Sequence, residues 1–228
     1  MCGRYAITLP PEAVRGFFRY VEQPNFPPRY NIAPTQPVPV VRLERAADGT
    51  LARHFVLMRW GFVPYFVKDL KKFPLLINAR GETMADKPSF RGAVKRRRCL
   101  FIADCFYEWR REGEVKGAGQ PCMIRRADGA PFGFAGLWED WSSPDGSQVE
   151  TACIVTVSAN GQMAAVHDRM PAIIEPADFD TWMSVDEADA GAALRLARPA
   201  EDGVLELVRI SKAVNKVAND GPEVQAAV

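Results

Sequence analysis

Cys2, in Met1-Cys2-Gly3-Arg4-Tyr5, has the most unusual chemistry open to any residue of this chain. Removal of Met1, the usual fate of an initiator methionine before a small residue, would leave an α-amino group and a thiol on one residue, a 1,2-aminothiol. An α-amine titrates near about 7.7 to 8.0 and a thiol near about 8.5, so both have usable nucleophilic fractions at neutral pH. The amine condenses with an aldehyde to a Schiff base, and the thiol can then close on the imine to a five-membered thiazolidine. The plain alternative is a chance cysteine at a frayed terminus, and position alone does not decide between them.

Three further groups could serve such chemistry. In Leu75-Leu76-Ile77-Asn78-Ala79-Arg80 an apolar, strand-like run ends in an amide and a guanidinium, the way a scaffold presents binding groups at a sheet edge; a turn asparagine is the alternative. In Phe106-Tyr107-Glu108-Trp109 a carboxylate sits among three aromatics, which would desolvate it, raise its pKa and suit it to general acid–base work. Otherwise it is an outward-facing strand glutamate. In Val166-His167-Asp168-Arg169-Met170-Pro171 one of only two histidines lies beside an acid and a base, where a satisfied turn histidine is the competing reading. His54, inside an alternating strand, is assigned to structure.

The elements that must position these groups read as follows. Pro10-Pro11-Glu12 opens a helix whose Val14, Phe17, Phe18 and Val21 recur on one face. Gln23 to Pro39 is rich in proline and reads as an extended loop. Val38–Leu43 and His54–Trp60 form a hairpin around Asp48-Gly49. A basic helix is expected around Ser89–Arg98, then strands over Cys99–Trp109, Cys122–Arg126, Phe132–Trp138 and Thr151–Ser158, a helix over Pro176–Val185 and a strand over Val204–Ser211. Strands dominate without strict βαβ alternation, which predicts one α+β domain around a mostly antiparallel, barrel-like sheet.

Composition narrows the class. The 228 residues are 47% hydrophobic and 25% charged, ordinary for a globular domain, and no apolar run has the length of a membrane span. No basic-then-apolar leader opens the chain, so no secretory signal is expected. Five cysteines without a C-x-x-C pair argue against a disulfide framework and fit a reducing cytoplasm; with two histidines, no metal site is expected. The net charge is +1, but it is distributed unevenly. Lys68 to Arg98 carries ten basic residues against three acidic ones, and Pro171 to Glu206 carries nine acidic against two basic. One basic face suited to phosphate is therefore available, although Lys95 to Arg98 alone reads as a solvated helix end.

Taken in order, Met1-Cys2-Gly3-Arg4, Arg29-Tyr30-Asn31-Ile32-Ala33-Pro34, Trp60-Gly61-Phe62-Val63-Pro64, Ile77-Asn78-Ala79-Arg80, Phe106-Tyr107-Glu108-Trp109, His167-Asp168-Arg169-Met170-Pro171 and Val214 to Pro222 resemble the SOS response-associated peptidase (SRAP) family of abasic-site processing proteins. The resemblance reaches about Glu223. It implies a covalent sensor of abasic sites in single-stranded DNA, acting through a thiazolidine on the mature N-terminal Cys2 in the DNA damage response, without cofactor or metal. Carried over by motif, Asn78 orients the amine or the opened sugar, Glu108 moves protons and His167 assists at the sugar hydroxyl. Arg4, Arg80 and Arg169 are implied phosphate clamps, and Trp60, Tyr65 and Phe66 DNA-facing aromatics. Tyr65-Phe66 stands where the family commonly carries Trp. A cytoplasmic monomer, drawn to the nucleoid by damaged DNA, is expected, with peptidase activity confined to removal of Met1. Two other classes compete: an N-terminal-cysteine hydrolase, either amidotransferase-like, which would need an Asn-Gly oxyanion element whose surroundings Asn160-Gly161 lacks, or a thiol peptidase pairing Cys2 with His167, and a non-covalent single-strand binding module.

Overall fold

The computed structural model describes residues 2–110, 119–143 and 145–228; Met1, whose removal the sequence suggests, lies outside them. In chain order, β1 (Tyr5–Ile7) leads through α1 (Pro11–Phe18) and β2 (Arg29–Ile32) into the hairpin of β3 (Pro37–Arg45) and β4 (Leu51–Trp60). Next come β5 (Asn78–Arg80), α2 (Arg91–Arg96), β6 (Arg98–Ala103), β7 (Cys105–Arg110), β8 (Gln120–Arg126), β9 (Phe132–Ser142) and β10 (Gln148–Ser158). The remainder holds α3 (Gly161–Ala164), β11 (Arg169–Pro171), β12 (Ile173–Ile174), α4 (Phe179–Met183), α5 (Ala190–Leu196) and β13 (Leu205–Arg209).

Five of these strands close a barrel. β4, β3, β6, β9 and β10 pair antiparallel in that order, and β10 returns to β4 in parallel register, with Thr151 beside Arg59 and Ala152 beside Trp60. Closure leaves no free edge along these strands. A second, antiparallel sheet runs β2, β1, β7, β8, β13. The chain crosses between the two at Asp104, whose carboxylate accepts the Thr8 N–H at 2.6 Å, the Thr8 hydroxyl at 2.8 Å and the Leu9 N–H at 3.0 Å. The α+β class with a mostly antiparallel, barrel-like sheet is the fold observed.

Aromatic rings fill the space between. Tyr5 meets Trp60, Phe101 and Phe134 edge to face at 5.3 to 6.5 Å, and all four are fully buried. β9 makes room for them with glycine: a Cβ at Gly136 would lie 2.7 Å from the Phe101 ring.

Four expectations change. Cys99–Trp109 is not one strand, because it breaks at Asp104 into β6 and β7, which lie in different sheets. α1 stops at Arg19, whose φ of 57° is left-handed, so Val21 leaves the helix face and is 56% exposed. Gln23 to Pro39 is not all loop, because β2 forms within it. Its outer amides at Tyr30 and Asn31 donate to Asp220 at 2.6 and 2.8 Å, a carboxylate standing in for a neighbouring strand. Finally, the Lys95–Arg98 run is not simply solvated. Arg98 is buried and donates to the carbonyls of Trp182, Val94 and Ser184, gathering the C-terminal ends of α2 and α4. Lys95 and Arg96 both pair with Glu187, and Arg97 pairs with Glu139, so this end of the basic tract is neutralised in part by the acidic one.

Candidate active site

The segment holding Cys2 runs beside β7. Tyr5 is paired with Phe106 and the Tyr107 N–H donates to Arg4 O at 2.9 Å, so the same register carried on sets Gly3 abreast of Glu108. Cys2 is fully buried. Burial pushes its thiol pKa up, and the nearby charge of Glu108 adds to the rise, so the group is a thiol and not a thiolate at neutral pH.

Asn78 arrives from the barrel side. β4 ends at Trp60, and the chain departs through Gly61, whose φ of 142° is a glycine conformation. A Cβ there would also meet Leu75 at 2.6 Å. The excursion that follows returns as β5, which takes over β4's place beside β10 with Asn78 opposite Ile154 and Arg80 opposite Thr156. Trp60 ties the two ends together, its indole N–H donating to Ile77 O at 3.0 Å. Alternation then puts Asn78 and Arg80 on one face of β5 and buries Ala79 on the other. Asn78 Nδ2 donates to the Cys2 carbonyl at 3.1 Å. Its Oδ1 is buried and has no hydrogen-bond partner among the described residues, an unused acceptor beside Cys2.

Glu108 is 3% exposed, and burial pushes its carboxyl pKa up to about 7, with Asp168 adding to the rise. The same-face neighbours responsible are Phe106 along β7 and Cys122 across on β8, whereas Tyr107 and Trp109 alternate to the opposite face. His167 enters from the loop after α3. Its Nδ1 accepts the Arg169 N–H at 2.9 Å and lies 2.9 Å from Asp168 Oδ1.

The expected DNA-facing residues divide. Arg80, Tyr65 and Phe66 are exposed, the two rings at 70% and 47%. They meet edge to face on the excursion between Gly61 and β5. Arg4 is half buried and already donates to Asn31 Oδ1 and Val214 O, both at 2.8 Å, with Trp109 under its guanidinium. Arg169 is clasped by Glu82. Trp60, expected at the DNA surface, is fully buried and serves instead to hold the strand that carries Asn78. Asn160, in the Asn160-Gly161 pair that an amidotransferase would use, caps α3 by accepting the Met163 N–H at 2.9 Å. Two surface concavities, around Arg15 and around Asp186, contain none of Cys2, Asn78, Glu108 or His167.

Sequence reasoning passed over three supports: Asn31, Asp220 and Glu82. Asn31 is fully buried and donates to Val214, Lys216 and Asn219 carbonyls at 2.8 to 3.2 Å, pinning the C-terminal segment beneath Arg4. Its place in the Arg29–Pro34 motif marked the segment but not the role of the side chain.

A family model described as SOS response associated peptidase (SRAP) matches residues 1–217. The chain is 32% identical over 227 residues to the abasic site processing protein YoqW of Bacillus subtilis, covering 98% of each. It is 29% identical to the abasic site processing protein HMCES of Xenopus tropicalis, over 100% of this chain and 78% of that one. A crystal structure of a protein from Bacteroides thetaiotaomicron shares the fold, with a TM-score of 0.82 at 23% identity over the whole of both chains.

Proposed function

The chain belongs to the SOS response-associated peptidase family, and on that premise we propose that it processes abasic sites in single-stranded DNA by forming a thiazolidine through Cys2 once Met1 is removed. The reading rests on one observation above all: Asn78 grips the Cys2 backbone at 3.1 Å while a carboxyl raised to about 7 lies near the thiol.

The order of events follows from protonation. The buried thiol keeps its proton, so the α-amine is the first nucleophile. It attacks the aldehyde carbon of the opened abasic sugar, and the carbinolamine expels its hydroxyl as water when Glu108 supplies a proton. The thiol sulfur then adds to the carbon of the protonated imine, the double-bond electron pair returns to nitrogen, and the S–H proton goes back to the Glu108 carboxylate. The balance is aldehyde plus aminothiol giving thiazolidine plus water. A carboxyl half protonated near neutrality can give in the first step and take in the second. Asn78 holds the amine or the opened sugar, and His167 assists at the sugar hydroxyl. Arg80 and Arg4 contact phosphates, as does Arg169 where its guanidinium is shared with Glu82. Tyr65 and Phe66 stack on bases.

A denaturing gel tests this. The protein should shift abasic but not intact single strands, and Cys2→Ala should shift neither. A full yield of denaturant-stable adduct from Cys2→Ala, or ammonia release from glutamine by the wild type, would overturn the reading.

A further inference from the structure

Glu82 lies two residues beyond Arg80 and has no role in the chemistry above, yet its carboxylate is heavily engaged. Its oxygens take both arms of the Arg169 guanidinium, Nη1 to Oε1 at 2.7 Å and Nη2 to Oε2 at 2.8 Å, and Oε1 also accepts the Ser158 N–H at 3.2 Å. Arg169 Nη2 makes a further bond to Thr156 O at 2.6 Å. The arginine is thereby fastened to the ends of β5 and β10, and two parallel charge-assisted bonds set its orientation as well as its distance.

The backbone of that same residue holds His167. The Arg169 N–H donates to His167 Nδ1 at 2.9 Å, and a ring nitrogen that accepts carries no proton, so the neutral ring is the Nε2–H tautomer. A competitor stands equally close. Asp168 Oδ1 is 2.9 Å from the same Nδ1 and would be satisfied there only by an Nδ1–H. The Asp168 side chain is 87% exposed, however, so water serves it as well as the ring does, whereas Arg169 is fixed through its guanidinium on Glu82 and Thr156 O and by its place in β11 opposite Ser158.

We propose that Glu82 is a positioning residue: through its clasp on Arg169 it keeps His167 in the Nε2–H tautomer against the pull of Asp168. The catalytic consequence rests on the abasic-site reading; the tautomer does not.

The test begins without DNA. Nitrogen-15 spectra of the imidazole, recorded at alkaline pH where the ring is neutral, should show a bare Nδ1 and a protonated Nε2 in the wild type and in Asp168→Asn. Glu82→Gln should move the signals toward Nδ1–H, and Glu82→Asp, which retains the charge, should restore part of the wild-type pattern. With saturating abasic DNA, Glu82→Gln should cross-link about tenfold more slowly, a part of the ~10²–10⁴ that a positioned acid–base group supplies. Its affinity for intact strands should be unchanged. Ring signals in Glu82→Gln identical to the wild type, whatever happens to folding stability, would overturn the proposal. So would tighter binding of intact strands with a steeper salt slope, which would make Glu82 a mask over a phosphate site. If the tautomer shifts as stated but even the wild type forms no adduct, the abasic-site reading falls and the role of Glu82 in setting the ring stands.

Discussion

Replacing Glu108 by Gln should stabilise the fold above neutrality while slowing the chemistry. The carboxyl is 3% exposed, and its pKa rises from 4.5 to about 7, chiefly through burial. Below pH 4.5 it is protonated in both folded and unfolded chains and contributes no pH dependence. Between 4.5 and 7 the unfolded chain releases the proton first while the folded one retains it, so stability falls as pH rises; above 7 both are charged and the loss is complete. A rise of this size corresponds to about 3 kcal/mol. Gln keeps the shape and cannot ionise, so it escapes that loss. Urea unfolding of the two proteins from about pH 4 to pH 9 isolates the effect, since all other titrating groups are common to both. The stability of the Gln variant relative to the wild type should climb by about 3 kcal/mol across the window and level off beyond it. A relative stability that is flat with pH, within about 0.5 kcal/mol, would show that the carboxyl titrates normally and would remove the basis for its two-way proton transfer. The expected result is a site that trades stability for function.

Asn31→Ala takes the side-chain donor from the Asn219 carbonyl and an acceptor from Arg4, while Val214 O keeps Arg4 and Lys216 O keeps the Asn219 N–H, and it should cost about 1 to 3 kcal/mol. Hydrogen exchange should quicken first between Ser211 and Gln225, and protection there equal to the wild type would refute the pinning role. Tyr65→Ala, at a ring 70% exposed, should leave the unfolding midpoint unchanged but weaken binding of intact single strands by about 1 to 3 kcal/mol in fluorescence anisotropy. Unchanged affinity would remove Tyr65 from the interface.

Where local pattern and tertiary packing agree, the chain was readable in advance. The β3–β4 hairpin follows from alternation around Asp48-Gly49, and its register runs unbroken from Pro37 opposite Arg59 to Arg45 opposite Leu51. Elements failed to read where a distant side chain does the work of a neighbour. β2 has little strand pattern because Asp220 satisfies its outer amides, and a partner 190 residues away leaves no periodic trace. Arg98 looks like one more charge in a basic run, and what sets it apart is three carbonyls, two of them more than eighty residues downstream.

The site divides along the same line. Alternation alone puts Asn78 and Arg80 on one face, but which face is fixed by barrel closure: β4 and then β5 lie parallel to β10, with Gly61 permitting the exit between them and Trp60 holding the return at Ile77. Parallel neighbours come from separate parts of the chain, so this pairing could not be inferred from turn chemistry. It also explains why an invisible core residue matters to a visible polar one. Trp60 touches no solvent, yet its indole, together with the Ile154 N–H, holds the Ile77 carbonyl just before the Asn78 whose amide reaches Cys2. The buried Cys2 thiol, the amide that holds its backbone and the raised Glu108 carboxyl thus come from three segments, each placed by a contact that its own sequence neighbourhood does not contain.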